Sequence, residues 1–143
     1  IALLMKLHTA LVALASLMAC VSGIAAPATY RTVDLSSEGL ISHTDAAALW
    51  KEAVPAQLPK LYPIKKWGFG STVSGGFTAD KTCVVAAQAM LMPVAGKSLL
   101  YAPAKQASTF GSIANANEAQ CHDLARTKLK EAINAINAAL VSK

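Results

Sequence analysis

KTCVVAAQAMLMP, at residues 81–93, carries one charge, on its first residue, and one side-chain amide, on Gln88. From residue 83 to residue 92 both alternating faces are otherwise apolar, a pattern shared by strands covered on both sides and by buried helices. The alanines and methionines favour a helix, but the β-branched residues near the start and the turn-forming flanks favour a strand. We therefore predict a central strand that is closed by a turn from Pro93 to Gly96, with a short buried helix as the alternative.

The segments on either side of the central strand predict two more strands. Residues 65–77, KKWGFGSTVSGGF, alternate so that Trp67 and Phe69 share one face. Residues 98–110, SLLYAPAKQASTF, predict a third strand, which should lie at an edge or be bulged at Pro103, because proline has no N–H to donate. Short turns connect the three strands, so they should form an antiparallel meander.

A long C-terminal helix is predicted over residues 119–141, which contain no glycine or proline. Asn117 is the expected N-cap, with Gln120 three residues later in the capping-box position. Apolar residues at helical spacing form a stripe that should pack against the sheet. The stripe, with its two flanking residues, comprises Cys121, Ala125, Leu129, Ala132, Ile136 and Leu140, with Leu124 and Ile133 beside them.

An N-terminal helix is predicted over residues 46–54, with Asp45 as its cap and Pro55 as its end. A short edge strand or arm is expected earlier, at residues 27–35. The predicted fold is therefore α+β in two layers. A three-stranded antiparallel meander packs against the long C-terminal helix, and an N-terminal helix precedes the meander.

The first 25 residues have the features of a secretory signal peptide. Residues 1–4 precede Met5, the expected start, and residues 10–19 form an apolar core too short to span a bilayer. Cleavage is expected before Ala26, which leaves residues 26–143 as a single small domain. An N-terminal anchor that stays attached is the alternative. These features predict a periplasmic or secreted protein.

The three cysteines carry two further predictions. Residues 17–20, LMAC, resemble a bacterial lipobox, so a lipid anchor at Cys20 is an alternative to ordinary cleavage. Cleavage before Ala26 would leave Cys83 and Cys121, and an even pair in an exported chain predicts a disulfide bond. Two free buried thiols are the alternative. The position of Cys121 on the helix stripe favours the bond to the central strand.

Composition and motifs argue against most enzyme classes. The net charge of +5 at pH 7 suits contact with anionic polymers, although many soluble proteins have a similar balance. The sequence contains no Cys/His spacing typical of zinc sites, no phosphate-binding glycine loop and no nucleophile elbow. We therefore expect no metal and no cofactor, and the sequence favours a protein that is not an enzyme.

One segment interleaves basic and aromatic residues in a composition that can bind a glycan, a nucleic acid or an acidic protein. The competing interpretation is an aromatic core face with solvated lysines beside it. The candidate binding residues are Lys60, Tyr62, Lys65, Lys66, Trp67 and Phe69.

His43 and His122 offer the competing hypothesis, since a histidine pair beside lysines can cleave a phosphodiester by general acid–base catalysis. Two surface or half-buried histidines without a catalytic role are the simpler interpretation. The sequence therefore predicts an exported non-catalytic binding module of the periplasm or extracellular space. Its expected partner is an unknown protein or an anionic envelope polymer, and the alternative is a small secreted hydrolase resembling a ribonuclease.

Overall fold

The computed structural model describes residues 28–37 and 39–142. The predicted signal peptide, its cleavage site before Ala26 and the alternative lipid attachment at Cys20 lie outside these residues and stay predictions. Among the described helices, none is long and apolar enough to cross a lipid bilayer.

The described residues form helices and a five-stranded sheet, so the predicted α+β class is confirmed. The elements in chain order are β1 (Thr32–Asp34), α1 (His43–Ala53), α2 (Leu58–Leu61), β2 (Trp67–Phe77), β3 (Cys83–Ala95), β4 (Ser98–Leu99), β5 (Lys105–Ile113) and α3 (Glu118–Val141). Strand β3 and helix α3 occupy the segments in which the sequence predicted a central strand and a long C-terminal helix.

Strand β3 lies at the centre of the sheet, because long antiparallel strands flank it on both sides. All 11 residues of β2 pair with one side of β3, and all 9 residues of β5 pair with the other. Strand β1 adds a parallel edge beside β2, and β4 pairs with the last two residues of β3. The sheet is therefore mixed, and the predicted three-stranded meander describes only β2, β3 and β5.

The third predicted strand, residues 98–110, is wrong as a single element. Strand β4 ends at Leu99, and the chain then leaves the sheet before β5 begins. Pro103 lies in this loop, where its missing N–H removes no bond from the ladder. Strand β5 also continues beyond the predicted end of the third strand at residue 110, as far as Ile113.

The predicted end of the central strand at Pro93 is wrong, because β3 continues for two more residues. Val94 donates its N–H to the carbonyl of Lys66 at 2.9 Å, and the Pro93 carbonyl accepts the N–H of Leu100 at 2.8 Å. These bonds continue the sheet on both sides of a residue that has no donor of its own. The chain turns only at Gly96, whose φ of 63° is in the left-handed region that glycine tolerates.

Helix α3 begins with the predicted capping box. The side chain of Asn117 accepts the N–H of Gln120 at 2.8 Å, and the side chain of Gln120 accepts the N–H of Asn117 at 2.9 Å. Helix α1 begins differently from the prediction. The hydroxyl of Ser42 accepts the N–H of Asp45 at 3.0 Å, so Ser42 is the N-cap and Asp45 lies in the first turn.

The core lies between α3 and one face of the sheet, called the inner face below. The predicted stripe of α3 is buried, and only its flanking residue Leu124 is partly exposed. On this stripe, Cys121 forms the predicted disulfide with Cys83 of β3, and their Cα atoms lie 5.6 Å apart. Helix α1 contributes Trp50, whose side chain is 1% exposed. The agreement of stripe and disulfide confirms the predicted packing of helix on strand.

The opposite face of the sheet, called the outer face below, is covered over only part of its length. Near one end of β3, Val84 is 42% exposed, and Gln88 is half-buried. Farther along, Met90 and Met92 are buried, because Gly70 of β2 leaves the space that their side chains occupy. The expectation of a strand covered on both faces is therefore wrong for the first half of β3.

Candidate functional site

Three lysines of the predicted binding segment are exposed, namely Lys60, Lys65 and Lys66, and they are called the basic cluster below. Lys60 belongs to α2, and the other two precede β2. The carbonyl of Pro63 accepts the N–H groups of Lys66 and Trp67, both at 2.9 Å, and so fixes the turn that presents these lysines. Among the described residues, no carboxylate forms an ion pair with any of the three amines.

An aromatic pair lies beside the basic cluster. Tyr62 and Trp67 contact each other edge to face, with ring centroids 6.0 Å apart and planes at 85°. The hydroxyl of Tyr62 donates to the carbonyl of Leu140 near the end of α3, at 3.2 Å. Both rings are half-buried against the core, so part of each remains accessible next to the lysines.

Phe69, the last candidate binding residue, lies in the core. Its side chain is 1% exposed, and it packs against Trp50 and Tyr30 with ring centroids 5.4 and 6.3 Å apart. The alternation that placed Phe69 and Trp67 on one face is correct. That face points inward, however, and of these two rings only Trp67, at the start of the strand, is partly exposed.

Both candidate catalytic histidines contact acceptors within the protein. His43 Nδ1 lies 2.8 Å from Asp34 Oδ2, and His122 Nε2 lies 3.0 Å from the carbonyl oxygen of Gly39. The Asp34–His43 pair was not predicted, because its members are nine residues apart and meet only through the docking of β1 beside α1. The sequence offers no local signal for this contact.

The carboxylate of Asp34 links β1 to β2. Its side chain is 5% exposed, and its Oδ1 accepts hydrogen bonds from the hydroxyls of Ser36 at 2.6 Å and Ser71 at 3.2 Å. The hydroxyl of Ser36 in turn accepts the N–H of Val73 at 2.7 Å. This network therefore helps to hold the short edge strand β1 against β2, with the buried carboxylate of Asp34 at its centre.

Asp34→Ala is expected to lower the free energy of unfolding by about 1–3 kcal/mol, because it leaves the hydroxyls of Ser36 and Ser71 without their acceptor. Urea unfolding measures the change. Asp123→Ala is the matched control, since Asp123 is 75% exposed and its ion pair with Arg126 should contribute less than about 1 kcal/mol. Equal effects of the two changes would contradict a structural role for Asp34.

The outer face carries an apolar surface that the sequence analysis missed. Phe110 is 72% exposed there, and it lines a shallow cavity of about 400 Å³ with Val84 and Ala86. A second cavity, of about 530 Å³, includes Leu35 and Tyr101. The predicted strand ended at Phe110, whereas in the structure this residue lies within β5, where its alternation with serines reveals the exposed side.

The donor groups of the described residues do not assemble a metal site. In residues 28–37 and 39–142, no group of three or more His, Cys, Asp or Glu side chains is placed to hold a metal ion.

Comparison with known proteins finds no matching protein-family model and no matching curated protein. Among solved structures, the PelC dodecamer from Paraburkholderia phytofirmans is similar in two crystal forms, with TM-scores of 0.44 and 0.40 and identities of 10% and 11%. The alignments cover 76% and 77% of this chain and 88% and 89% of those chains. A candidate lipoprotein from Caulobacter crescentus has a TM-score of 0.32 and 14% identity, over 76% of this chain and 86% of that chain. Likeness at this level assigns neither a family nor a function.

Proposed function

We propose that the chain is an exported, non-catalytic binding module of the periplasm or extracellular space, and that its basic cluster contacts an anionic envelope polymer. The observation that carries the proposal is the position of three lysine amines, which no carboxylate of residues 28–37 and 39–142 pairs, next to the fixed Tyr62–Trp67 pair. The Cys83–Cys121 disulfide supports export, because such bonds persist in oxidising compartments.

Two kinds of contact would act together at this surface. The lysines attract anionic groups through a Coulomb interaction that salt screens over about 8–10 Å at moderate ionic strength. The accessible parts of Tyr62 and Trp67 offer apolar contact to a sugar ring, which salt does not weaken. Binding should therefore fall as salt is raised and should level off above zero.

Binding of the exported protein to polygalacturonate tests the proposal, with uncharged dextran as the comparison polymer. Lys65→Ala/Lys66→Ala is expected to weaken binding about tenfold, since exposed charge contacts contribute roughly 0.2–1 kcal/mol each. Lys51→Ala/Lys130→Ala is the matched control, because it removes the same charge from exposed lysines on α1 and α3. This control should bind almost as well as the unchanged protein.

Three outcomes would contradict the proposal. Equal weakening by both double changes would mean that net charge alone attracts the polymer. Equal binding to dextran would exclude the charge-based contact. Full retention of binding in a folded Trp67→Ala variant would exclude the aromatic part of the site.

A hydrolase of the ribonuclease type is the second candidate function. It is favoured by the Asp34–His43 contact, because a carboxylate that holds an imidazole is a common way to orient a general base. This hypothesis predicts RNA cleavage that is lost in His43→Ala and in His122→Ala. Such cleavage would replace the binding-module proposal, whereas unchanged RNA after incubation with the protein would exclude the hydrolase.

A further inference from the structure

Strand β5 forms an edge of the sheet along its whole length. It pairs with β3 on one side, and no other described strand pairs with its second side. Natural proteins usually protect such edges with proline, bulges or several charges. The sequence of β5, KQASTFGSI, has no proline, keeps a continuous register with β3 and carries one charge, on Lys105. This edge is therefore open to another strand.

The middle of the edge carries a large exposed aromatic side chain. Phe110 is 72% exposed and lies on the outer face, between the small exposed residues Ser108 and Ser112. Neither serine is large enough to shield the ring. Aromatic side chains are enriched at protein–protein interfaces, where a partner removes them from water.

We infer that two copies of this chain pair through β5 as antiparallel strands, about a two-fold axis that passes beside Thr109. In this register all nine residues of the strand face residues of the second copy. Such an interface is isologous, so it closes on itself as a dimer. The opposed pairs are Lys105 with Ile113, Gln106 with Ser112, Ala107 with Gly111, and Ser108 with Phe110.

Two features of β5 favour a second copy of the chain as the added strand. No like charges face each other, and the aliphatic stem of Lys105 can cover Ile113 while its amine stays in water. The two Phe110 residues become diagonal neighbours across the axis, at about 7–8 Å between Cα atoms, where aromatic rings can touch. Each ring would then cover the other.

Helix α3 borders the inner side of this edge. The hydroxyl of Thr109 donates to the carbonyl of Lys128 at 2.6 Å, so α3 is fixed beside the edge strand. The side chain of Lys128 lies next to Gly111, and its amine pairs with Glu131 at 2.8 Å. The ammonium group of Lys128 near the two-fold axis is therefore paired with a carboxylate of its own copy. The inference is independent of the basic cluster and goes beyond the proposed function.

Sedimentation equilibrium of the exported protein tests this inference, with twice the monomer mass as the expected result. Phe110→Lys should raise the dimer dissociation constant roughly a hundredfold, because both copies lose an apolar contact and gain a like-charge neighbour. Phe110→Glu should do the same. An equimolar mixture of the two variants should restore the dimer, since lysine and glutamate then lie diagonally across the axis from each other.

Val84→Lys is the matched control. Val84 is also an exposed apolar residue of the outer face, but it belongs to the central strand β3 and not to the edge strand β5. It should remain dimeric. A monomer at the highest soluble concentration, or a dimer that survives Phe110→Lys, would overturn the inference. Equal loss in Val84→Lys would also overturn it, since the face rather than the edge would then be covered. Circular dichroism checks that each variant stays folded, and Ser108→Lys provides a second edge variant.

Discussion

Cys83→Ala/Cys121→Ala is expected to lower the free energy of unfolding by about 4 kcal/mol. The two cysteines are separated by 38 positions in the sequence. In the loop-entropy model, a cross-link of this span lowers the conformational entropy of the unfolded chain by an amount equivalent to about 4 kcal/mol. Typical small domains are stable by about 5–15 kcal/mol, so the loss is a large part of the total. Urea unfolding under non-reducing conditions measures it.

The reduced form of the unchanged protein is the control for this prediction. It should unfold close to the double variant, because both lack the bond between β3 and α3, although the variant also loses two buried sulfur atoms. Peptide mapping without reductant should find Cys83 linked to Cys121. Two alkylatable thiols in protein from an oxidising compartment would contradict the bond, and unchanged stability after reduction would contradict its energetic role.

The elements that the sequence predicted best are those with strong local patterns. Helix α3 has a capping box, an uninterrupted run without glycine or proline, and a long apolar stripe, and each feature predicts a helix without reference to the rest of the chain. The disulfide followed from counting cysteines in a chain predicted to be exported and from the position of Cys121 on that stripe. Local pattern and covalent constraint agreed, so the packing of α3 on β3 could be predicted.

Contacts between distant segments could not be predicted in the same way. Strand β1 has three residues, and its parallel pairing with β2 depends on the network around Asp34 rather than on any local preference. The separation of β4 from β5 depends on bonds such as Leu100 N–H to the Pro93 carbonyl, which joins the start of the loop after β4 to strand β3. Hydrophobic periodicity carries no information about such bonds.

The candidate site was predictable to a similar extent. Charge and hydropathy were enough to place the basic cluster at the surface, because lysines are rarely buried without a partner. They could not separate Trp67, which is half-buried, from Phe69, which is enclosed by Trp50 and Tyr30. Two aromatic residues on one strand face look alike in sequence, and only the contacts of Phe69 with Trp50 of α1 and with Tyr30 distinguish them.

Truncating a buried side chain of the core is expected to have the second large effect on stability. Leu129→Ala is expected to lower the free energy of unfolding by about 2–5 kcal/mol, because the change removes buried methyl groups and leaves a cavity. Leu129 is 0% exposed, in the middle of the α3 stripe that packs on the inner face of the sheet. Ile136→Ala, at 1% exposure two turns later, should have an effect in the same range.

Lys130→Ala is the matched control for Leu129→Ala, since Lys130 is the next residue of the helix and is exposed. Helix propensity changes little between lysine and alanine, so this change should alter the free energy of unfolding by less than about 0.5 kcal/mol. Urea unfolding of the unchanged protein, Leu129→Ala and Lys130→Ala gives the change in the free energy of unfolding for each variant. An effect of Leu129→Ala as small as that of Lys130→Ala would mean that the stripe faces solvent in the folded monomer. Helix α3 would then be a surface for a partner, and the disulfide alone would hold it to the sheet.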